Sequence, residues 1–446
     1  MGRLFKNSWA LFLGYGILII AHGLQGNLLG VRAVIENFNI IATGALMSGY
    51  FIGYFIGANA VPNLVGKVGH IRVFAAFASM ASLSILLHAV IVDPYVWIFG
   101  RFLTGFSIIG IFIVVESWLN DRANNRTRGK VLSIYMIITF VGLGLGMLLL
   151  NFNDPKNYEP FILVSLLLSI ALIPILLTKR KPPTFKKISA IKISELYKIS
   201  PLATVSMFCT GFIHPAIFTM GSVYGALMNF SVFEISLYLF LITISGALFQ
   251  WPIGYLSDRF DRRLIIIISS IIGAILTIFC FFSVTVSPDF VGLSSDWKII
   301  LQHISNHRLM FYIFISLYAG MSLPLFSLNL AYVNDFLPKE KFVSAGAGMQ
   351  IIFGISAMTA PFICSFFMEK FGTNGFFIFL FIFQIAIGLF GIYRLTKRST
   401  EEIPQNENTF TPLPKNITPV GLQLDPDTGV NLSNTEEEKK INKNLS

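Results

Sequence analysis

The chain has 446 residues, 54% of them hydrophobic and only 13% charged, with a mean hydropathy of +0.71. A water-soluble fold of this size has too little interior for that much apolar side chain, so a soluble globular protein is excluded. The formal charge of +10 would suit nucleic acid in a soluble chain, but in a membrane protein Lys and Arg set orientation, and no nucleic-acid partner is inferred.

Apolar runs of about 20 residues recur along the chain, each long enough to cross a bilayer as a helix. They predict twelve spans near residues 9–30, 43–64, 71–92, 94–116, 130–151, 159–178, 201–227, 232–256, 264–285, 309–333, 343–367 and 373–394. The first follows Arg3 and Lys6 without a small-residue cleavage site and is expected to be retained. The expected fold class is therefore all-α: a polytopic membrane protein of twelve transmembrane helices in two pseudo-symmetric six-helix bundles. Residues 1–178 would form the N-terminal bundle, 179–200 a cytoplasmic linker, 201–395 the C-terminal bundle and 396–446 a disordered cytoplasmic tail.

Charge placement tests that layout. With a cytoplasmic N-terminus, only Arg32, Lys156, Lys298, Arg308 and Lys370 fall outside, and Arg101 lies within a span. All other Lys and Arg, of 33 in total, fall inside. The bias survives omission of Lys415, Lys439, Lys440 and Lys443 and supports an even span count with both termini cytoplasmic. The linker carries Lys179, Arg180, Lys181, Pro182 and Pro183, then an amphipathic stretch around Ile188–Leu196. From about Thr396 the chain is polar, with an acidic run at Glu436–Glu438, and is expected to lack a core. Segment 286–308 reads as an outer loop.

The halves echo each other. Trp118-Leu119-Asn120-Asp121 ends span 4, and Tyr332-Val333-Asn334-Asp335 ends span 10. Gly66 to Arg72 links spans 2 and 3, and Asp258 to Arg263 links spans 8 and 9. Two pairs in corresponding places argue for a duplicated six-helix unit.

The run Gly254-Tyr255-Leu256-Ser257-Asp258-Arg259-Phe260-Asp261-Arg262-Arg263 packs acids and arginines into a short link. An acid there can accept hydrogen bonds from another helix's N-terminal amides and complement its dipole, worth about 1 kcal/mol per contact. Leu256, Ser257, Asp258, Arg259, Arg262 and Arg263 resemble the inter-helix loop motif of the major facilitator superfamily, with Asp261 in place of its second glycine. In the first-half copy Gly69 and Arg72 fit, while Gly66 stands where the acid is expected and Pro62 where the first glycine is. Arg101-Phe102-Leu103-Thr104-Gly105 resembles the family's fourth-helix motif. Val114-Val115-Glu116-Ser117, Asn125-Arg126-Thr127-Arg128-Gly129 and Gln250-Trp251-Pro252-Ile253-Gly254 resemble its YcaD-like branch.

The resemblance implies a secondary transporter of the bacterial inner membrane, a monomer in contact with lipid. Its two halves would rock about a central path and move a small-molecule solute by alternating access or facilitated diffusion. The inner gate would be built from Glu116, Asp258, Arg259, Arg262, Arg263 and Asp335, with Asp258 meeting the start of span 5. Glu116 lies 15 residues beyond Arg101, about 22 Å along a helix, so it belongs at the inner mouth near Lys67, Arg72, Arg126 or Arg128. Arg101 is the only charge well inside a span, which is costly unless it faces protein or a wet cavity. It slightly favours an anionic or zwitterionic solute. Arg101, Thr104 and Gly105 share one helix face, and Gly105 would allow close backbone approach. His22 and His214 fall near mid-depth in spans 1 and 7, with Gln25 one turn from His22; Tyr318 and Asn329 are the polar candidates on span 10. These seven residues, His22, Gln25, Arg101, Thr104, His214, Tyr318 and Asn329, are the expected substrate site. A coupling proton could use His22 or His214.

Cys209, Cys280 and Cys364 sit far apart in apolar runs and read as packing residues. No Walker loop, zinc spacing or nucleophile elbow is present, so no cofactor, metal or catalytic residue is expected. A transporter-like membrane sensor that binds a solute without moving it is the alternative function.

Overall fold

The computed structural model describes residues 2–124, 127–176, 189–285, 306–397 and 409–428, and the described residues form helices and turns without strands. Among the described residues, twelve helices are long and apolar enough to cross a membrane, one for each predicted span. Spans 1 to 6 are Trp9–Ile35, Ile40–Val68, His70–Val90, Pro94–Asp121, Arg128–Phe152 and Glu159–Leu176. Spans 7 to 12 are Pro201–Leu227, Val232–Arg259, Arg262–Val284, Arg308–Asn334, Lys339–Phe371 and Gly375–Leu395.

Local chemistry sets where the spans start and stop. Asp93 Oδ1 accepts from the backbone N–H of Tyr95 and Val96, with Pro94 opening span 4. Ser231 and Glu234 form a reciprocal capping box at the start of span 8. Gly69, at φ +93°, makes the sharp turn between spans 2 and 3 that a residue with a Cβ would resist. Pro324 divides span 10 into Asn306–Ser322 and Leu325–Asn334, because proline cannot supply the amide that a continuous helix needs there.

Spans 1–6 pack on one another, as do spans 7–12. Within the first group, a Cβ at Gly53 would overlap the Phe102 carbonyl and one at Gly105 the Tyr50 carbonyl, so spans 2 and 4 touch backbone to backbone. The two groups meet along spans 1 and 7, 2 and 11, and 5 and 8. Those seams close at the face away from the 66–72 and 258–263 links. There Gly30 abuts Ser222, Gly44 abuts Ser365, and Ser48 Oγ accepts from Phe362 N–H at 3.1 Å.

At the opposite face, which carries the two charged links and is called the motif face below, the groups diverge. The gap is filled by residues 409–428. These had been expected to lack a core, yet Leu413, Ile417, Val420, Leu422 and Leu424 are buried. Of the 179–200 linker, residues 189–200 are described. They hold a short helix, Ile193–Ile199, with Ile191 N–H donating to Ser344 O of span 11 at 3.0 Å. Residues 177–188, most of 286–308, and 398–408 with 429–446 of the tail lie outside the described residues.

Candidate functional site

A cavity of about 340 Å³ lies between the two groups of spans. Spans 1, 2, 4 and 5 wall one side, spans 7 and 11 the other, and residues 415–420 close the end nearest the motif face. Most of the lining is apolar and aromatic, including Phe51, Phe55, Phe218 and Phe353, and no Asp or Glu among the described residues lines it.

Arg101 is the central polar group. Its guanidinium lies 4.7 Å from the Tyr50 ring centre, a cation–π contact, while Nε and Nη1 have no hydrogen-bond partner among the described residues. A buried guanidinium with idle donors is costly, so it is poised to gain from an acceptor entering the cavity. The Tyr50 hydroxyl stands 3.3 Å from His22 Nε2, with the two rings stacked at 5.4 Å, and His22 Nδ1 is unpartnered. Asn27, also buried in the lining, has neither amide atom partnered. From the tail, Lys415 Nζ stands 3.1 Å from the Phe218 ring centre, and burial drives its pKa well below the usual lysine range.

Of the seven residues expected to bind substrate, His22 and Arg101 line this cavity. The other five are buried inside one group of spans and do not line it. Gln25 Nε2 donates to Thr104 Oγ1 of span 4 at 3.3 Å, and Thr104 also meets Ser84 Oγ of span 3 at 3.0 Å. His214 Nε2 lies 3.1 Å from Ser322 O, Asn329 Nδ2 donates to Thr210 Oγ1 at 3.4 Å, and Tyr318 is fully buried. Asn27, Tyr50 and Lys415 were not anticipated. A signal for Asn27 existed: His22 with Gly26, and Gly23 with Asn27, are spaced i, i+4, so the cavity face of span 1 runs to Asn27 and leaves Gln25 behind.

The motif residues lie together in the second half. Arg262 bridges Asp258 Oδ1, at 2.8 Å, and Asp335. Asp261 pairs with Arg263 at 2.7 Å, and Arg259 lies 4.2 Å from the Tyr255 ring centre. Burial raises the Asp335 carboxyl to about 7, with the Arg262 charge opposing the rise and Asp258 and Asp261 adding to it. Among the described residues Asp258 does not meet the start of span 5; its Oδ1 accepts from Phe410 N–H of the tail at 2.8 Å.

Glu116 also departs from expectation. Arg126 lies outside the described residues, and among the described residues the hydrogen-bond donors to the Glu116 carboxylate are neutral. It accepts from the Tyr135 hydroxyl at 2.7 Å, from Thr418 N–H at 3.1 and 3.0 Å, from the Thr418 hydroxyl, and from Gly421 N–H at 3.0 Å. The tail therefore supplies the donors that basic side chains were expected to provide.

Comparison with known proteins agrees with this architecture. A transporter of Escherichia fergusonii named as the uncharacterised MFS-type YcaD is 24% identical over 258 residues, covering 57% of this chain and 68% of that protein. The corresponding Escherichia coli protein is 25% identical over 260 residues, with the same coverage. Two solved structures of the nucleoside transporter NupG share the fold. They have TM-scores of 0.71 and 0.68, at 12% and 13% identity, over 87% and 86% of this chain and 99% and 98% of theirs. The family model described as Major Facilitator Superfamily matches residues 11–300. A match over more than half the chain, on a twelve-span fold, places this protein in the Major Facilitator Superfamily as an integral membrane transporter of a small solute.

Proposed function

We propose that this chain carries an organic anion with an aromatic or apolar body across the inner membrane. The two six-helix groups would alternate about the cavity, with the motif face toward the cytoplasm. The observation behind this reading is Arg101: a buried cation with idle donors, in an aromatic cavity without a lining acid. A carboxylate would complete the guanidinium's hydrogen bonds, and an apolar body would suit the phenyl walls. His22, on the same wall, is the candidate for proton coupling.

The test is uptake into proteoliposomes with aromatic carboxylates, nucleosides and aromatic amines, with and without a pH gradient. Saturable uptake of carboxylates, reduced at least tenfold in Arg101→Gln and less in Arg101→Lys, is the expected result. Uptake of neutral or cationic solutes with carboxylates inert would overturn the cargo class. Carboxylate binding without flux under every gradient would return the sensor reading.

A further inference from the structure

We propose that residues 409–428 are an inhibitory plug: they wedge the two groups of spans apart at the motif face and must leave before the transporter can turn over. The proposal rests on the alternating-access reading given above.

The segment is held by both halves at once. On the first half, Glu116 takes its three donors, Tyr54 donates its hydroxyl to Asn416 O at 2.9 Å, and Asn120 Nδ2 donates to Val420 O at 2.5 Å. On the second half, Ser327 Oγ exchanges hydrogen bonds with the backbone of Leu413 at 3.0 and 3.2 Å, and Gln350 Nε2 donates to Ile417 O at 2.7 Å. Asp258 takes the Phe410 amide. A chain lying between these surfaces prevents them from meeting.

The fit is steric as well as polar. A Cβ on Gly421 would stand 2.5 Å from the Glu116 carboxylate carbon. A Cβ on Gly346 of span 11 would overlap Leu422, and one on Gly254 of span 8 would overlap Phe410. Small residues thus stand on the tail and on the second half where the two approach most closely. The opposite face is already closed by the Gly30–Ser222 and Gly44–Ser365 contacts. Opening that face requires the halves to close at the motif face, in the space the segment fills. Two charged positions from the family strings, Glu116 and Asp258, are engaged by it, so the plug occupies groups that the inner gate would use.

The test needs no knowledge of the cargo. Ser222→Cys, with Cys209, Cys280 and Cys364 replaced by Ser, reports opening of the closed face to a membrane-impermeant maleimide. Three proteins are compared: the full chain, the full chain with Gly421→Leu, and a chain ending at Lys397. Labelling from the closed face should be at least tenfold faster in both altered proteins. Equal rates in all three, with matching thermal melts, would overturn the plug. Faster labelling together with failure to carry any aromatic carboxylate would overturn the cargo class and leave the plug standing.

Discussion

Glu116→Gln separates a structural carboxylate from one that anchors the tail. The substitution keeps size and leaves Tyr135 an oxygen to donate to. It replaces the second acceptor with an NH₂ donor. Three donors from the tail, Thr418 N–H, the Thr418 hydroxyl and Gly421 N–H, converge on the present carboxylate. At least one of them must then face another donor. Hydrogen bonds to a charged group contribute about 1.5–3 kcal/mol each, and the neutral amide recovers part of the cost of burying the charge. The net loss in tail docking is about 2–3 kcal/mol, or roughly 30- to 150-fold. Leu424→Cys, fully buried in the docked segment, is the reporter, introduced into parent and Glu116→Gln alike. Its maleimide labelling rate follows the fraction of time the tail is released. A rate at least 30-fold faster than in the parent is expected. A rate within threefold, in a variant that melts normally, would refute the anchoring argument.

Arg101→Gln should lower carboxylate uptake at limiting concentration at least tenfold yet shift the melting temperature little, because the Tyr50 ring contact is the main interaction removed; parallel uptake and thermal-shift measurements check this. Docking should also depend on pH. Burial raises the Asp425 carboxyl from 3.8 to about 6, against hydrogen bonds from Asp427 N–H and the Thr411 hydroxyl and the charge of Arg128, with the Asp427 charge adding to the rise. Since its docked pKa lies above its free value, docking is strongest below about pH 4, weakens as pH rises toward 6 and is level beyond that. Lys415, shifted down by burial, acts in the opposite sense, strengthening docking as pH climbs toward the ordinary 10.5. Distances between spin labels on tail and span 4 should show the acid limb, and Asp425→Asn should abolish it. Gly105→Val should prevent folding, because its side chain would displace the Tyr50 carbonyl of span 2, whereas Gly66→Val, with open space at its Cβ, should give a monodisperse peak on size exclusion.

The spans were legible because membrane helices announce themselves by side-chain chemistry. Every backbone group is satisfied within the helix, so length and hydropathy suffice. The Gly105 contact was legible for a related reason, since a small residue near a motif arginine marks close helix approach. The cavity was only partly legible. Arg101 stood out because charge is rare at that depth, and His22 because it falls near mid-depth in span 1. Gln25 and Thr104 failed because polarity in a helix says nothing about which neighbour it faces. Gln25 donates to Thr104 inside the first group, as Asn329 does to Thr210 inside the second. Lone polar residues more often pair within the bundle than wait for a guest.

The tail was missed for a different physical reason. Its seat is built mostly from backbone amides and carbonyls meeting side chains of the spans, and a main-chain group has no sequence signature. What the residues do carry is an island: between Phe410 and Leu424 the only charge is Lys415, while Leu413, Ile417, Val420, Leu422 and Leu424 supply apolar contact. Such a stretch inside an otherwise polar tail has enough apolar surface to be worth burying, though too little to fold alone. It needs a surface made elsewhere. The same reasoning explains Glu116. A carboxylate buried at the end of a span requires donors, and the sequence offered basic side chains nearby as the obvious ones. The tail's Thr418 and Gly421 donors meet that need as neutral groups, and such a contact can be released without leaving an unpaired cation beside Glu116.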